Sequence, residues 1–240
     1  MQANNIHQKR KPKKTTLLGT VWNILSTFIV IVAFGFILVK FVIFQQVTVV
    51  GQSMQPNYQD GQLLLIHQLD KSLERGNVVA VYEDENVAEG ANYLTRFQAR
   101  FFLKRIIGLP GEEIEIAGGY VIIYNDENPE GKLLVESYIP AGVIASENRR
   151  QYYLPRTRIP ANEYFVLGDN RSNSSDSRRY GSFQEFAIFG KESFRFWPSN
   201  DFQVFDLPSY NFVDVPSEIN LLREELKENN GDNIPEFLNN

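Results

Sequence analysis

Residues 21–44 form an almost unbroken apolar run, VWNILSTFIVIVAFGFILV, then Lys40, then Phe41 to Phe44. The first nineteen of these positions carry no charge. As an α-helix the segment spans about 36 Å, enough to cross the roughly 30 Å core of a bilayer with some tilt. Lys40 falls near the far end, where a long stem can snorkel to the interface. Lys9, Arg10, Lys11, Lys13 and Lys14 precede the run, and no acid occurs in residues 1–20. That flank predicts a cytoplasmic N-terminus and the C-terminal bulk outside. A cleaved signal peptide shares the basic start but has a shorter apolar core and a small-x-small site soon after it. Neither holds here, so an uncleaved single-pass anchor in the cell membrane is expected, with the lipid bilayer as partner.

The 240 residues carry a net charge of −5. Setting the five N-terminal bases aside leaves 19 of the 24 bases against 29 acids, a balance of −10 over the rest of the chain. A basic footprint for nucleic acid is missing from that part, which argues against nucleic-acid binding. Cysteine is absent and there are two histidines, His7 and His67. Disulfides, thiolate metal sites and cysteine nucleophiles are excluded together, and no metal site or cofactor is expected. His67 lies in an apolar strand pattern and reads as structural or surface. Any catalysis therefore does its proton chemistry without imidazole.

From Gln45 the pattern turns to short β-branched and aromatic runs at 47–50, 63–69, 77–82, 101–107, 113–116, 120–124, 164–167 and 186–189, separated by Gly, Asn, Asp and Pro. Gly118-Gly119 between two of them is a hairpin signal. The fold class expected is mainly β, a transmembrane helix followed by an all-β domain. The organisation reads as a basic cytoplasmic tail (1–20), the transmembrane helix (21–44), an extracytoplasmic β catalytic domain (45–216) with an insertion at about 113–162, and a polar, mobile tail (217–240). Within the insertion, 126–162 looks polar and irregular. The tail allows one short helix in EINLLREELKE.

Three places could carry chemistry. Ser53 lies on a turn between Gly51 and Pro56, where its hydroxyl is exposed and its own N–H is free to meet a substrate oxygen. Most such turns are only turns. Lys104, in FFLKRIIGLPGE, shares a strand face with Phe102 and Ile106 while Arg105 faces the other way. A lysine among apolar neighbours loses its charge more readily and can act as a general base; an edge-strand lysine that merely blunts aggregation is the plainer alternative. The loop FVLGDNRSNSSDSRRYG interleaves acids, bases and hydroxyls that can brace one another. A nucleophile, a desolvated amine and a group to orient it make a Ser-Lys dyad possible.

With SMQP (53–56), RGNVVAVY (75–82), KRIIGLPGE (104–112), GDNRSNSSDSR (168–178) and FRFWP (194–198) in this order, the chain resembles the bacterial type I signal peptidases (leader peptidases) of the Ser-Lys class. The resemblance runs from the anchor to about Pro198. It implies a signal-peptidase, LexA-like all-β catalytic domain with a small inserted β subdomain. It implies Ser53 as acylated nucleophile and Lys104 as general base. Ser174 would hydrogen-bond the lysine amine, Asp176 and Arg178 would form a bracing ion pair, and Asp169 would pair with Arg105. The backbone N–H of Ser53 would supply one oxyanion-hole donor. Gly51 stands where some members carry a serine hydroxyl as the second donor, so water is expected to compensate. Val49, Val50, Met54, Tyr58, Phe102 and Leu103 would line shallow pockets for small residues of an Ala-x-Ala site in a signal-peptide-bearing precursor.

Asn57, Gln62 and Asn77 depart from the threonine and the two aspartates usual in the family. They put loop bracing in question, not the dyad. Two other readings are a Ser-Lys processing peptidase dedicated to one substrate and a catalytically silent membrane-anchored β scaffold. The absence of a helix-turn-helix segment before the β body argues against a self-cleaving repressor.

Overall fold

A computed structural model of the chain describes residues 16–83, 89–90, 99–140, 152–204, 207–208 and 210–229, the side chains at 40 and 41 apart. His7, the basic cluster at 9–14, the snorkelling stem expected of Lys40 and the tail beyond 229 lie outside the described residues. The chain divides into two units, Met1–Val42 and Ile43–Asn240.

In the first unit, helix α1 covers Leu17–Leu38, and Val39–Ile43 continue as a π-helix. It starts four residues before the apolar run because Thr16 caps it, its Oγ1 accepting the Gly19 N–H at 3.3 Å. An 18-residue stretch of its 22 residues has a mean hydropathy of 2.3, and none is buried within the protein. Leu17, Trp22, Phe28 and Phe36 are all exposed, so the helix is apolar on every face.

The second unit is built of antiparallel strands. One sheet has the order β1 (Phe44–Thr48), β2 (Leu63–His67), β11 (Ile188–Trp197), β3 (Val78–Tyr82), β4 (Phe101–Gly108), β9 (Glu163–Leu167) and β10 (Phe183–Gln184), with β12 (Gln203–Val204) on β11. The other has the order β13 (Asn211–Val213), β7 (Asn128–Val135), β6 (Tyr120–Asn125), β5 (Glu113–Ala117) and β8 (Tyr153–Arg158). A short helix, α2 (Ser177–Tyr180), follows β9, and α3 (Ser217–Asn229) ends the described chain. Gly118 and Gly119 have φ of 58° and 89° and join β5 to β6 with Ala117 opposite Tyr120. Both glycines meet the positive φ that a two-residue hairpin turn requires.

Two regions differ from the sequence reading. Residues 128–135 and 153–158, expected to be irregular, are strands of the second sheet; 141–151 lie outside the described residues. Pro129 and Pro155 hide these strands from a propensity reading. Pro155 is tolerated because β8 is an edge strand, and Pro129 because it stands at the start of β7. The mobile tail expected from Ser217 is, over 217–229, a helix with Ile219 and Leu226 buried. Arg223 of that helix donates to both oxygens of Glu115 on β5, at 3.1 and 2.9 Å.

The core follows the alternation of the strands. Val79, Val81, Ile106, Val166 and Phe183 pack in one buried cluster, and Ile107, Ile114, Ile123, Leu154 and Phe165 in another between the sheets. His67 has a turn-capping role: its Nδ1 accepts the Asp70 N–H at 2.8 Å, and its ring meets Phe44 edge-on.

Candidate active site

β4 runs between β3 and β9, with Val79 opposite Lys104 and Leu167 opposite Arg105. Lys104 is thus on a central strand, not on the edge strand that would let it snorkel outward, and it is 3% exposed. Its Nζ donates to Ser53 Oγ at 3.0 Å and to the Leu103 carbonyl at 2.9 Å, with the Phe102 ring 5.3 Å away. Burial, the largest influence, lowers the amine pKa to about 8; Asp176 and Asp169 pull it back up and Arg178 pushes it down.

Ser53 stands in the loop between β1 and β2. The neck of that loop is closed by Val49 N–H to the Gln62 carbonyl at 2.8 Å and Gly61 N–H to the Val49 carbonyl at 2.9 Å. Gly51 has φ of 83° and donates its N–H to Asp60 Oδ1 at 2.7 Å. A Cβ there would meet nothing within 4 Å, so backbone conformation, not space, disfavours a serine donor at this position.

Val49, Met54, Tyr58 and Leu103 join Leu64, Ile66, Val78 and Ala80 in one buried cluster beneath the loop. Each fully buried large side chain of this kind contributes about 1.5–3 kcal/mol. They act as the loop's anchor and present no open wall. Of the six residues expected to line substrate pockets, Val50, 83% exposed, and half-buried Phe102 face outward.

The loop after β9 grips Ser53 from the other side. Asn170 donates its backbone N–H to the Ser53 carbonyl at 2.9 Å and its Nδ2 to the Gln52 carbonyl at 3.1 Å. Fixing the Gln52 carbonyl also fixes the trans N–H of Ser53, the oxyanion donor expected. A Cβ on Gly168 would lie 2.5 Å from the Ser53 carbonyl oxygen and 2.2 Å from Ser174 Oγ, so only glycine permits this approach.

Asp176 accepts from Arg178 Nε and Nη2, both at 2.8 Å, and from the Gly168 N–H at 3.0 Å. Burial alone would raise its pKa, but the bond and charge of Arg178 outweigh it and hold the carboxyl below the ordinary value. Arg105 pairs bidentately with Asp169 at 2.8 and 2.6 Å. One expected contact is not formed: the Lys104 amine does not reach Ser174, whose hydroxyl is buried and acts on Asp176, and the Leu103 carbonyl on the lysine's own strand takes the acceptor role intended for it.

A family model described as "Signal peptidase, peptidase S26" matches residues 21–197. This chain belongs to the signal peptidase family, peptidase S26. The signal peptidase IB of Staphylococcus aureus (strain MRSA252) is 30% identical over 207 residues, covering 83% of this chain and 96% of the relative. The probable signal peptidase I-2 of Synechocystis sp. (strain ATCC 27184 / PCC 6803 / Kazusa) is 34% identical over 151 residues, covering 62% and 61%. Among solved structures, a signal peptidase I from Enterococcus faecalis V583 is 28% identical, covers 50% of this chain and 96% of its own, and has a TM-score of 0.37. Membership makes this chain a serine peptidase, a hydrolase of the bacterial type I signal peptidase kind.

The chain's departures from the family pattern all have partners. Asn57 Nδ2 donates to Asp169 Oδ2 at 2.9 Å and to the Tyr138 carbonyl at 3.1 Å, tying the Ser53 loop to both sheets. Gln62 donates to Asp201 at 2.8 Å and accepts from Arg195 at 3.1 Å. Asn77 Oδ1 accepts the Glu74 N–H at 2.7 Å. Bracing is therefore kept with amides in place of a hydroxyl and two carboxylates.

Other supports escape the sequence reading. Arg171 forms a buried bidentate pair with Glu136 just after β7, and the Arg105 guanidinium lies over the Tyr138 ring at 4.2 Å. Tyr58 donates its hydroxyl to Glu192 of β11. The one available signal was the interruption of apolar runs by Glu136 and Glu192.

Proposed function

We propose that the chain is a membrane-anchored endopeptidase that removes N-terminal signal peptides from exported precursors, with Ser53 as nucleophile and Lys104 as general base. The observation that carries this reading is the 3.0 Å contact between the buried Lys104 amine and Ser53 Oγ. Neutral Lys104 accepts the Ser53 proton as Oγ bonds to the scissile carbonyl carbon. The oxyanion faces the Ser53 N–H, whose direction Asn170 sets. Collapse breaks the C–N bond, and the Lys104 ammonium protonates the leaving amine. Lys104 then takes a proton from water as the water oxygen bonds to the acyl carbon, and returns it to Ser53 Oγ as the acyl–oxygen bond breaks.

The precursor binds as an extended strand between the residues before Ser53 and β4, with main-chain hydrogen bonds giving affinity. Small side chains before the scissile bond suit the closed packing of Val49, Met54 and Leu103. Helix α1, apolar all round, anchors the enzyme, with the basic N-terminus in the cytoplasm and the β unit outside. Tethering raises the effective concentration of membrane-borne precursor at the dyad.

The test uses the full-length enzyme in detergent beside Ser53→Ala and Lys104→Ala, with a precursor carrying an Ala-x-Ala site. Cleavage after that site by the parent, with a loss of about 10³-fold or more in both variants and unchanged folding, is expected. Cleavage that survives Lys104→Ala overturns the dyad. A folded enzyme that leaves general precursors intact points to a dedicated substrate or a scaffold.

A further inference from the structure

A cleft of about 290 Å³, with neither Ser53 nor Lys104 among its walls, lies on the far side of Ser174, and the mechanism above does not use it. Its walls include Tyr152, Ser172, Ser174, Arg178 and Arg179, with Gly119 of the β5–β6 turn at one side. Two of these residues tie it to the reacting atoms. Ser174 packs on Gly168 and so against the Ser53 carbonyl, and the charge of Arg178 acts on the Lys104 amine. The amine released by cleavage takes its proton from Lys104, so the new N-terminus departs from the lysine's side of the nucleophile.

The charges in the cleft are unequal. Arg171, at its base, is consumed by Glu136, and Arg178 by Asp176. Arg179 is exposed, rests 5.5 Å from the centroid of its neighbour Tyr180, and has no carboxylate partner among the described residues. Among the described residues, one guanidinium without a carboxylate partner thus stands in a cleft of a chain whose residues beyond the first 20 sum to −10.

We propose that this cleft is the subsite for the precursor's residues immediately after the scissile bond, and that Arg179 selects an acidic side chain among the second to fourth of them. The inference rests on the signal peptidase reading and deepens it. Arg179 is a specificity residue, acting on binding rather than on proton transfer. Because it is solvated, its effect is a modest preference that salt weakens.

The experiment takes the full-length enzyme and peptides identical through an Ala-x-Ala site but with Asp, Gln or Lys at each of the second to fourth positions after it. The kcat/KM ratio of Asp to Lys is expected to be about two- to fivefold at one position or more. The ratio shrinks at high salt, approaches one in Arg179→Ala and inverts in Arg179→Glu. Binding of the corresponding product peptides, followed by fluorescence anisotropy on Ser53→Ala enzyme, gives a readout independent of turnover. Cleavage of the Gln peptide with ratios near one at every position, or ratios indifferent to Arg179, overturns the subsite while leaving the peptidase intact. Charge-dependent binding without cleavage of any peptide supports the cleft and overturns the peptidase reading. Neither binding preference nor cleavage overturns both.

Discussion

At the scale of single residues, the proposed Ser53–Lys104 dyad is a balance of burial against charge. Lys104 is lowered to about 8 chiefly by desolvation, so it is half neutral near that pH and mostly charged at 6. The kcat/KM profile is expected to rise with pH to a plateau with an acid limb near 8, where an ordinary lysine would give about 10.4. A limb above 9.5 would remove burial as the activating device. Gly168 is the second sensitive position. In Gly168→Ala the new methyl meets the Ser53 carbonyl and Ser174 Oγ well inside contact distance, and Ser53 must move. A displacement of about 1 Å in such a site costs about 100-fold. Kinetics with circular dichroism should give that loss in kcat on an intact fold; full activity would mean the loop yields freely.

At the scale of elements, the active site is held by what joins strands and loops, not by the strands themselves. The loop after β9 reaches the second sheet through Arg171 and Glu136, both side chains 3% exposed. Removing one partner of such a pair strands a buried charge and typically costs 3–5 kcal/mol, whatever the pair's net worth. Glu136→Ala is therefore expected to lower unfolding free energy by about 3 kcal/mol. Urea melts at constant detergent measure this, and a change below about 0.5 kcal/mol would show that the loop reorganises around Arg171. Asn57 and Asn170 do the same work without charge, each tying the Ser53 loop to a neighbour by two hydrogen bonds.

At the scale of the whole molecule, one buried acid couples stability to pH. The Glu192 carboxyl receives the Tyr58 hydroxyl, leaves Oε1 without a hydrogen-bond partner, and lies among Arg105, Arg195 and Asp169. Burial raises its pKa to about 7, against the lowering influence of Tyr58 and the two arginines. A carboxyl raised on folding contributes its full stability below its ordinary pKa and loses it as pH rises through the folded value. Stability of the β unit should therefore decline between about pH 4.5 and 7, by up to roughly 3 kcal/mol from this group. Glu192→Gln should flatten that slope, as read from urea midpoints across the range. A slope unchanged in the variant assigns the titration elsewhere. Lys104, depressed on folding, changes its contribution only above about pH 8, so the two windows do not overlap.

Much of the architecture was legible in the chain alone. Covalent order and side-chain polarity are enough to show an apolar segment too long for a small soluble domain, strands that alternate, and a Gly-Gly turn that needs positive φ. They leave Ser53 and Lys104 as candidates beside plainer readings, a turn and an edge-strand lysine, and it is the resemblance of the motifs that implies their roles. What tertiary structure decided is partnership. Asn57 meets Tyr138 and Asp169 across 81 and 112 residues, Arg171 meets Glu136 across 35, and Lys104 finds the Leu103 carbonyl in place of Ser174. It also turned Met54 and Tyr58 inward as an anchor and gave Pro155 an edge strand to occupy. Local pattern carries information over a few residues of backbone geometry. Burial, and with it the shifted pKa of Lys104 and of Glu192, depends on which distant segment arrives to exclude the water.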